Sequence, residues 1–120
     1  MEDILEKVLC ACSAYEQKYY LNPEFDALPT QIKEDLNVMC VLFTEDVGGI
    51  IELVYDENGT LLIKTDASEE DILYDEIGSG LKVRQIQRER RELLESLELY
   101  YKVKFLGLKI IFLLIRTACT

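Results

Sequence analysis

A chain of 120 residues, 49% of them hydrophobic, is long enough for one domain with a real core, and that apolar share argues against wholesale disorder. The net charge of −10 excludes general nucleic-acid binding, which needs a basic surface, and favours solubility and basic partners or metal cations. The sequence holds no histidine, which removes His-based triads, imidazole metal ligands and imidazole pH switches.

The opening MEDILEK is acidic and lacks a basic stretch followed by an apolar run. No signal peptide is therefore expected, and the cytoplasm is the expected location. Asp3 to Tyr20 reads as an amphipathic helix, capped by Asp3 with Glu6 three residues on. Ile4, Val8, Cys12, Tyr15 and Tyr19 line one face. A competing parse makes Val8–Cys12 a short strand, with Ser13 capping a helix from Ala14 and Glu16 completing a capping box. The single helix is preferred. The four cysteines are Cys10, Cys12, Cys40 and Cys119, with no Cys-x-x-Cys pair, so neither a zinc ribbon nor a thioredoxin-type site is indicated. Cys10-x-Cys12 suits a soft metal by composition. On the expected helix, however, the two point about 200° apart, so reduced, partly buried thiols are the simpler expectation.

Asn22-Pro23 ends this element, because the residue before a proline is biased away from helix. Pro23–Leu28 is a connector that Phe25 and Leu28 should pin to the core. Pro29 suits the first turn of a second helix, running to about Val47, with Ile32, Leu36, Met39, Cys40, Phe43 and Val47 on one face. Val38–Phe43 is apolar all round, which predicts burial on more than one side. Gly48-Gly49 stops the helix and turns the chain.

Ile50–Asp66 carries the clearest hairpin signal: IIELVY and TLLIKT flank Asp56-Glu57-Asn58-Gly59. A two-residue Asn58-Gly59 turn would set Leu53 opposite Lys64. A type I turn with Gly59 in the left-handed bulge position instead sets Glu52 opposite Lys64 and Leu53 opposite Ile63. The second register pairs opposite charges and gathers Ile51, Leu53, Tyr55, Leu61 and Ile63 on one face, so it is the one expected.

Asp66–Ile77 is acidic, and Ser68 with Asp71 resembles a capping box for a short helix to Ile77. Asp71, Asp75 and Glu76 are the candidates for Mg²⁺ or Ca²⁺, although the spacing is not that of an EF-hand loop. A solvated loop and acidic helix start is the plainer account. Gly78-Ser79-Gly80 should break the chain before the next helix. Free N–H groups of Ser79 and Gly80, with Lys82 and Arg84 near, are candidates for a phosphate or carboxylate. The stretch is neither a P-loop nor a dinucleotide fingerprint.

Leu81–Leu106 has no Pro or Gly and reads as one long helix, the spine on which the rest packs. Val83, Ile86, Leu93, Leu94, Leu97, Tyr100 and Tyr101 form its apolar stripe, interrupted by Arg90. Arg90 then snorkels or pairs with a carboxylate; alternatively Ile86, Arg90, Leu93, Leu97 and Tyr100 form a dimer seam with Arg90 fixing register. Arg84, Arg88 and Arg91 make an outward basic strip, expected to be offset by the acidic segment upstream. The seven tyrosines are expected at core edges. Ile110–Ile115 is continuously apolar but too short to span a bilayer, which takes about 20 residues. It is read as a helical continuation after a kink at Gly107.

MCVLFTEDVGGI (Met39–Ile50) and LYDEIGSGLKVRQIQRERRELLESLELYYKVKFLG (Leu73–Gly107), with AYEQKYYLNP (Ala14–Pro23), resemble a family of small uncharacterised bacterial proteins, a domain of unknown function. The likeness covers most of residues 8–107, and the tail departs from it. It implies a cytoplasmic bacterial setting and carries no activity, ligand or catalytic residue.

The expectation is therefore an α+β domain over residues 1–107, helices packed on a β-hairpin with a long C-terminal spine, and an apolar tail at 108–120. No catalytic motif and no cofactor is indicated. The leading function is a non-enzymatic protein-interaction or assembly module that self-associates through the long helix, with no nucleic acid and no transmembrane segment. The rival is a small-ligand or divalent-metal-dependent enzyme using residues 66–76 and the Gly78-Ser79-Gly80 helix start.

Overall fold

A computed structural model describes residues 6–107. The tail expected to be helical and Cys119 lie outside them. The fold is α+β: a four-stranded antiparallel sheet and three helices. In chain order these are β1 (Lys7–Ser13), β2 (Lys18–Leu21), α1 (Thr30–Val47), β3 (Ile50–Tyr55), β4 (Leu61–Asp66), α2 (Glu76–Glu89) and α3 (Arg91–Lys104). The strand order is β2-β1-β3-β4.

The first expectation to fall is the N-terminal helix. Its described part is a hairpin, β1 paired with β2 from Cys10 opposite Leu21 to Ser13 opposite Lys18. A bulge explains the misleading pattern. The register of β1 against β3 shifts between Val8 and Cys10, so Leu9 and Cys10 both turn inward, and Cys12 follows two residues on. The extra residue erases the alternation that marks a strand. Ser13 does cap, but it caps a turn: its Oγ accepts the Glu16 N–H at 3.3 Å, and Gln17 takes a positive φ of 52°.

Asn22 ties the following connector to β1. Its side-chain amide donates to Val8 O at 2.7 Å while its Oδ1 accepts from Glu24 N at 3.0 Å. Phe25 and Leu28 are buried, so the connector is pinned as the sequence suggests. α1 follows from Pro29 and lays Leu36, Met39, Cys40, Phe43 and Thr44 against the sheet. Val38 and Leu42 stay exposed, so the all-round burial expected of this helix is not realised. Gly48 and Gly49 end it at φ of 84° and 69°. At Gly49 a Cβ would lie 2.6 Å from both Asp66 O and Tyr74 Cε1, so backbone conformation and close approach both require glycine there.

β3 and β4 pair with Glu52 opposite Lys64 and Leu53 opposite Ile63. Gly59 is left-handed at φ 84°, and Asp56 Oδ1 accepts the N–H groups of Asn58 and Thr60, both at 2.9 Å. The hairpin has both helix cover and further strands: β1 extends it on the β3 side. Two strands are marginal by themselves, and four with one covered face are not.

The spine also differs from expectation. The helix starts at Glu76, runs through Gly78-Ser79-Gly80 without a break, and is interrupted at Arg90 (φ −110°, ψ 27°). α3 then begins at Arg91. Arg90 was already the gap in the apolar stripe. Breaking there lets α2 rest on α1 through Ile86 while α3 runs against β4, where Glu98 accepts the Leu61 N–H at 2.8 Å, and buries Leu97 and Tyr101 beside Tyr55 of β3. Residues 68–75 form turns, not a short helix; the Ser68 Oγ accepts only the Glu70 N–H, at 3.3 Å.

The core has two joined parts. Between α1 and the sheet lie Leu9, Cys10, Cys40, Phe43, Ile51 and Leu53. At the α3 end an aromatic cluster takes over, with Tyr55 stacked on Tyr101 at 4.1 Å and on Phe25 at 5.6 Å, and Tyr101 on Phe105 at 5.0 Å. Tyr55 and Tyr101 are thus central, not at the core edge.

Candidate functional site

The metal candidates do not assemble. Asp71 Oδ2 accepts the Tyr15 hydroxyl at 2.7 Å, and the same Tyr15 oxygen accepts Ser68 N–H at 3.0 Å. The hydrogen bond to Asp71 is the chief reason the Tyr15 phenol is held above its usual pKa. Tyr15 thereby straps the acidic segment to the β1–β2 turn. Asp75 precedes α2 and Glu76 opens it, both exposed. Among the described residues no three His, Cys, Asp or Glu side chains gather where a metal ion could sit.

The anion candidates are occupied otherwise. Ser79 is buried inside α2; its N–H donates to Asp75 O at 2.9 Å, and its Oγ accepts the Tyr74 hydroxyl at 2.7 Å. Gly80 lies within the same helix, past its first turn, so the pair is not a helix start with free donors. Lys82 Nζ pairs with Asp46 at 2.9 Å, and Arg84 faces solvent.

The proposed dimer seam faces inward. Ile86 and Leu97 are buried, and Leu93 and Tyr100 pack half-buried against the same core. Arg90 sits at the helix break with its Nη2 3.6 Å from Asp35 Oδ2, so it pairs with a carboxylate of its own chain. The cysteine argument needs its own correction. On β1, Cys10 and Cys12 share one face rather than diverging. Cys10 Sγ lies 3.9 Å from Cys40 Sγ, and Cys12 Sγ 3.5 Å from Thr44 Oγ1. The hydrogen bond to Cys10, reinforced by burial, pushes the Cys40 thiol up and keeps it protonated, whereas metal ligation and nucleophilic attack need a thiolate.

The surface that does stand out was divided in the sequence reading. Ile72 and Leu73 are each 90% exposed, Ile77 is 77% and Leu81 59% exposed. Ile77 and Leu81 are four apart on α2 and share its outward face. The next positions along that face are Arg84 and Arg88. Taking Gly78-Ser79-Gly80 as a break assigned Ile77 and Leu81 to separate elements; the four-residue spacing across the glycines was the signal for one face. Neither Arg84 nor Arg88 makes an ion pair among the described residues, and neither do Glu69, Glu70, Asp75 and Glu76. The expected pairing of the basic strip with the acidic segment therefore does not occur; Arg91 instead pairs with Glu95 at 3.6 Å.

A shallow groove runs beside this face, between α1 and α2. Val38, Met39, Leu42 and Ile86 line it, with the Asp35–Arg90 and Asp46–Lys82 pairs on its walls. Gln85 and Glu89 also line it, so the groove is part aliphatic and part polar.

Among the described residues no helix is long and apolar enough to cross a membrane. No curated protein and no solved structure matches the chain. Residues 6–109, which take in the whole of the α+β domain just described, match one family throughout, and the chain belongs to it: DUF6145, a family of unknown function.

Proposed function

We propose that the protein is a non-enzymatic interaction module that self-associates through the outward face of α2 and the segment leading into it. The observation that carries this reading is the exposure of four large aliphatic side chains, Ile72, Leu73, Ile77 and Leu81, within ten residues. Scattered single aliphatics on a surface need no explanation, whereas a contiguous group of them marks an interaction site. The long-helix region stays the associating element, but its opposite face serves: the stripe through Ile86 and Leu97 is covered by the chain's own core. The rival, a metal-dependent or small-ligand enzyme, is the weaker reading: Asp71, Glu76 and Ser79 line one cavity with Asp66 and Glu69, but Asp71 is held by Tyr15 and the Ser79 N–H is bonded within its helix.

Sedimentation equilibrium from micromolar to near-millimolar concentration tests the proposal. The wild type is expected to exceed the monomer mass as concentration rises. An Ile77→Ser/Leu81→Ser variant, with unchanged circular dichroism, is expected to remain monomeric. A wild type that is monomeric across the whole range would sink the proposal.

A further inference from the structure

The order of side chains along the exposed face identifies its occupant. Reading from the β4 exit into α2, the surface is acidic at Glu69 and Glu70, aliphatic at Ile72 and Leu73, acidic again at Asp75 and Glu76, aliphatic at Ile77 and Leu81, then basic at Arg84 and Arg88. All of these side chains are exposed, and none of the charged ones has an ion-pair partner among the described residues. Such a face has a direction, with negative charge at one end and positive at the other. A parallel copy would set like charges opposite each other. An antiparallel copy related by a two-fold axis sets each end against its complement, which is the self-complementarity an isologous interface requires.

We infer that the face docks a second copy of this chain, α2 against α2 and antiparallel, with Arg84 and Arg88 of each copy over the acidic residues that precede and open α2 in the other. The inference rests on the self-association proposed above. Pairing the two exposed aliphatics of α2 sets the register. With the axis midway between Ile77 and Leu81, each Ile77 meets the other copy's Leu81. At a rise of about 1.5 Å per residue, Arg84 then lies about 7.5 Å to one side of the axis. Asp75 and Glu76 of the other copy lie about 6 and 4.5 Å to that same side, within reach of an arginine side chain. Arg88 lies about 13.5 Å out on that side, and Glu69 and Glu70 belong to the segment that leads into α2. The net charge of −10 per copy opposes association, but repulsion between remote exposed charges is screened beyond about 8 Å at physiological ionic strength, and the local pairs are opposite in sign.

Charge reversal with complementation tests this geometry. Arg84→Glu/Arg88→Glu and Glu70→Lys/Glu76→Lys each place like charges across the axis, so each alone should weaken self-association about tenfold or more. An equimolar mixture of the two variants should restore a dimer containing one of each, identified by mass with a tag on one variant. Circular dichroism melts confirm that both variants are folded. A pair of reversals that leaves self-association at wild-type strength overturns the antiparallel register, as does a mixture that fails to restore it. In either case self-association that still depends on Ile77 and Leu81 would stand. A wild type that never self-associates overturns both proposals.

Discussion

The Tyr55 hydroxyl donates to Leu97 O at 2.8 Å inside the core, while its ring stacks on Tyr101 and Phe25. Tyr55→Phe removes the donor and leaves a buried carbonyl without its partner, which costs about 1–3 kcal/mol. Urea titration should show a lower midpoint with an unchanged slope. The same residue governs behaviour in alkali. Burial, chiefly, pushes the Tyr55 phenol above its ordinary value, and the Tyr19 phenol and Cys40 thiol are raised as well. Groups whose folded pKa is raised keep their protons in the native state after the unfolded chain has released them. Their stabilisation is whole below the unfolded pKa and is lost as pH rises through it toward the folded value. Stability should therefore hold to about pH 8.5, decline as unfolded Cys40 ionises, and fall faster above about pH 10, where unfolded tyrosines ionise. Each such group contributes a slope of about 1.4 kcal/mol per pH unit, so Tyr55→Phe should flatten the decline above pH 10 by about that amount. Equal slopes in the two proteins would count against the buried phenol as a source of the alkaline loss. At this scale the sequence was readable where one residue type answers one local demand. Gly59 in the bulge turn and Phe25 as the pin of a connector are such cases. Tyr55 was placed on the inward face of its strand, but its stacking on a residue 46 positions away has no local signature.

Periodicity was a good guide for α1 and β3, which bury most of the inward residues it picked out, and for β4, whose Leu61 and Ile63 are half-buried against the core. It failed at two irregularities. The bulge at Leu9 made β1 look helical, because two successive inward residues break the alternation. The break at Arg90 was visible only as a polar gap in a stripe, and whether such a gap snorkels or turns the chain depends on what each half packs against. The local signals at Gly78-Ser79-Gly80 pointed to a break that tertiary packing does not use: Ser79 is buried in the first turn of α2 and bonded to Tyr74. α3 offers a sharp test of which face is structural. Leu97 is 1% exposed and Leu99, two residues on, 44%. Leu97→Ala should cost about 2–5 kcal/mol, the range for a large-to-small core change. Leu99→Ala should lie within about 0.5 kcal/mol of wild type, as for a surface position. Comparable losses in chemical denaturation would mean that α3 is rotated from the orientation described.

The molecule as a whole is a sheet with α1 and α3 holding its inner face and α2 carried outside on α1. That placement is why α2 can expose Ile77 and Leu81: it is anchored from its other side by Val83, Ile86, the buried Ser79 and the Lys82–Asp46 pair. The candidate interface was legible in composition, since every one of its aliphatics and charges is plain in the sequence, but not in position. Deciding which side of a helix is free requires knowing what covers the other side. The same whole-chain view bears on where the domain closes. The aromatic cluster is completed by Phe105, which packs on Phe25 at 5.2 Å and receives the Lys7 ammonium over its ring at 5.1 Å. Leu106 follows beside the β3–β4 turn, near Gly59. Among the described residues, Phe105 is the last to pack against the buried core. A chain ending at Gly107 should melt within a few degrees of the full chain, because every core contact among the described residues is kept. It should also keep its self-association, since the outward face of α2 is intact. A drop of more than about 8 °C would correspond to over 1 kcal/mol at the midpoint for a domain of this size. A loss that large would show that residues 108–120 contribute to the fold; loss of self-association alone, with the melt preserved, would place the contact between copies in the tail instead of on α2.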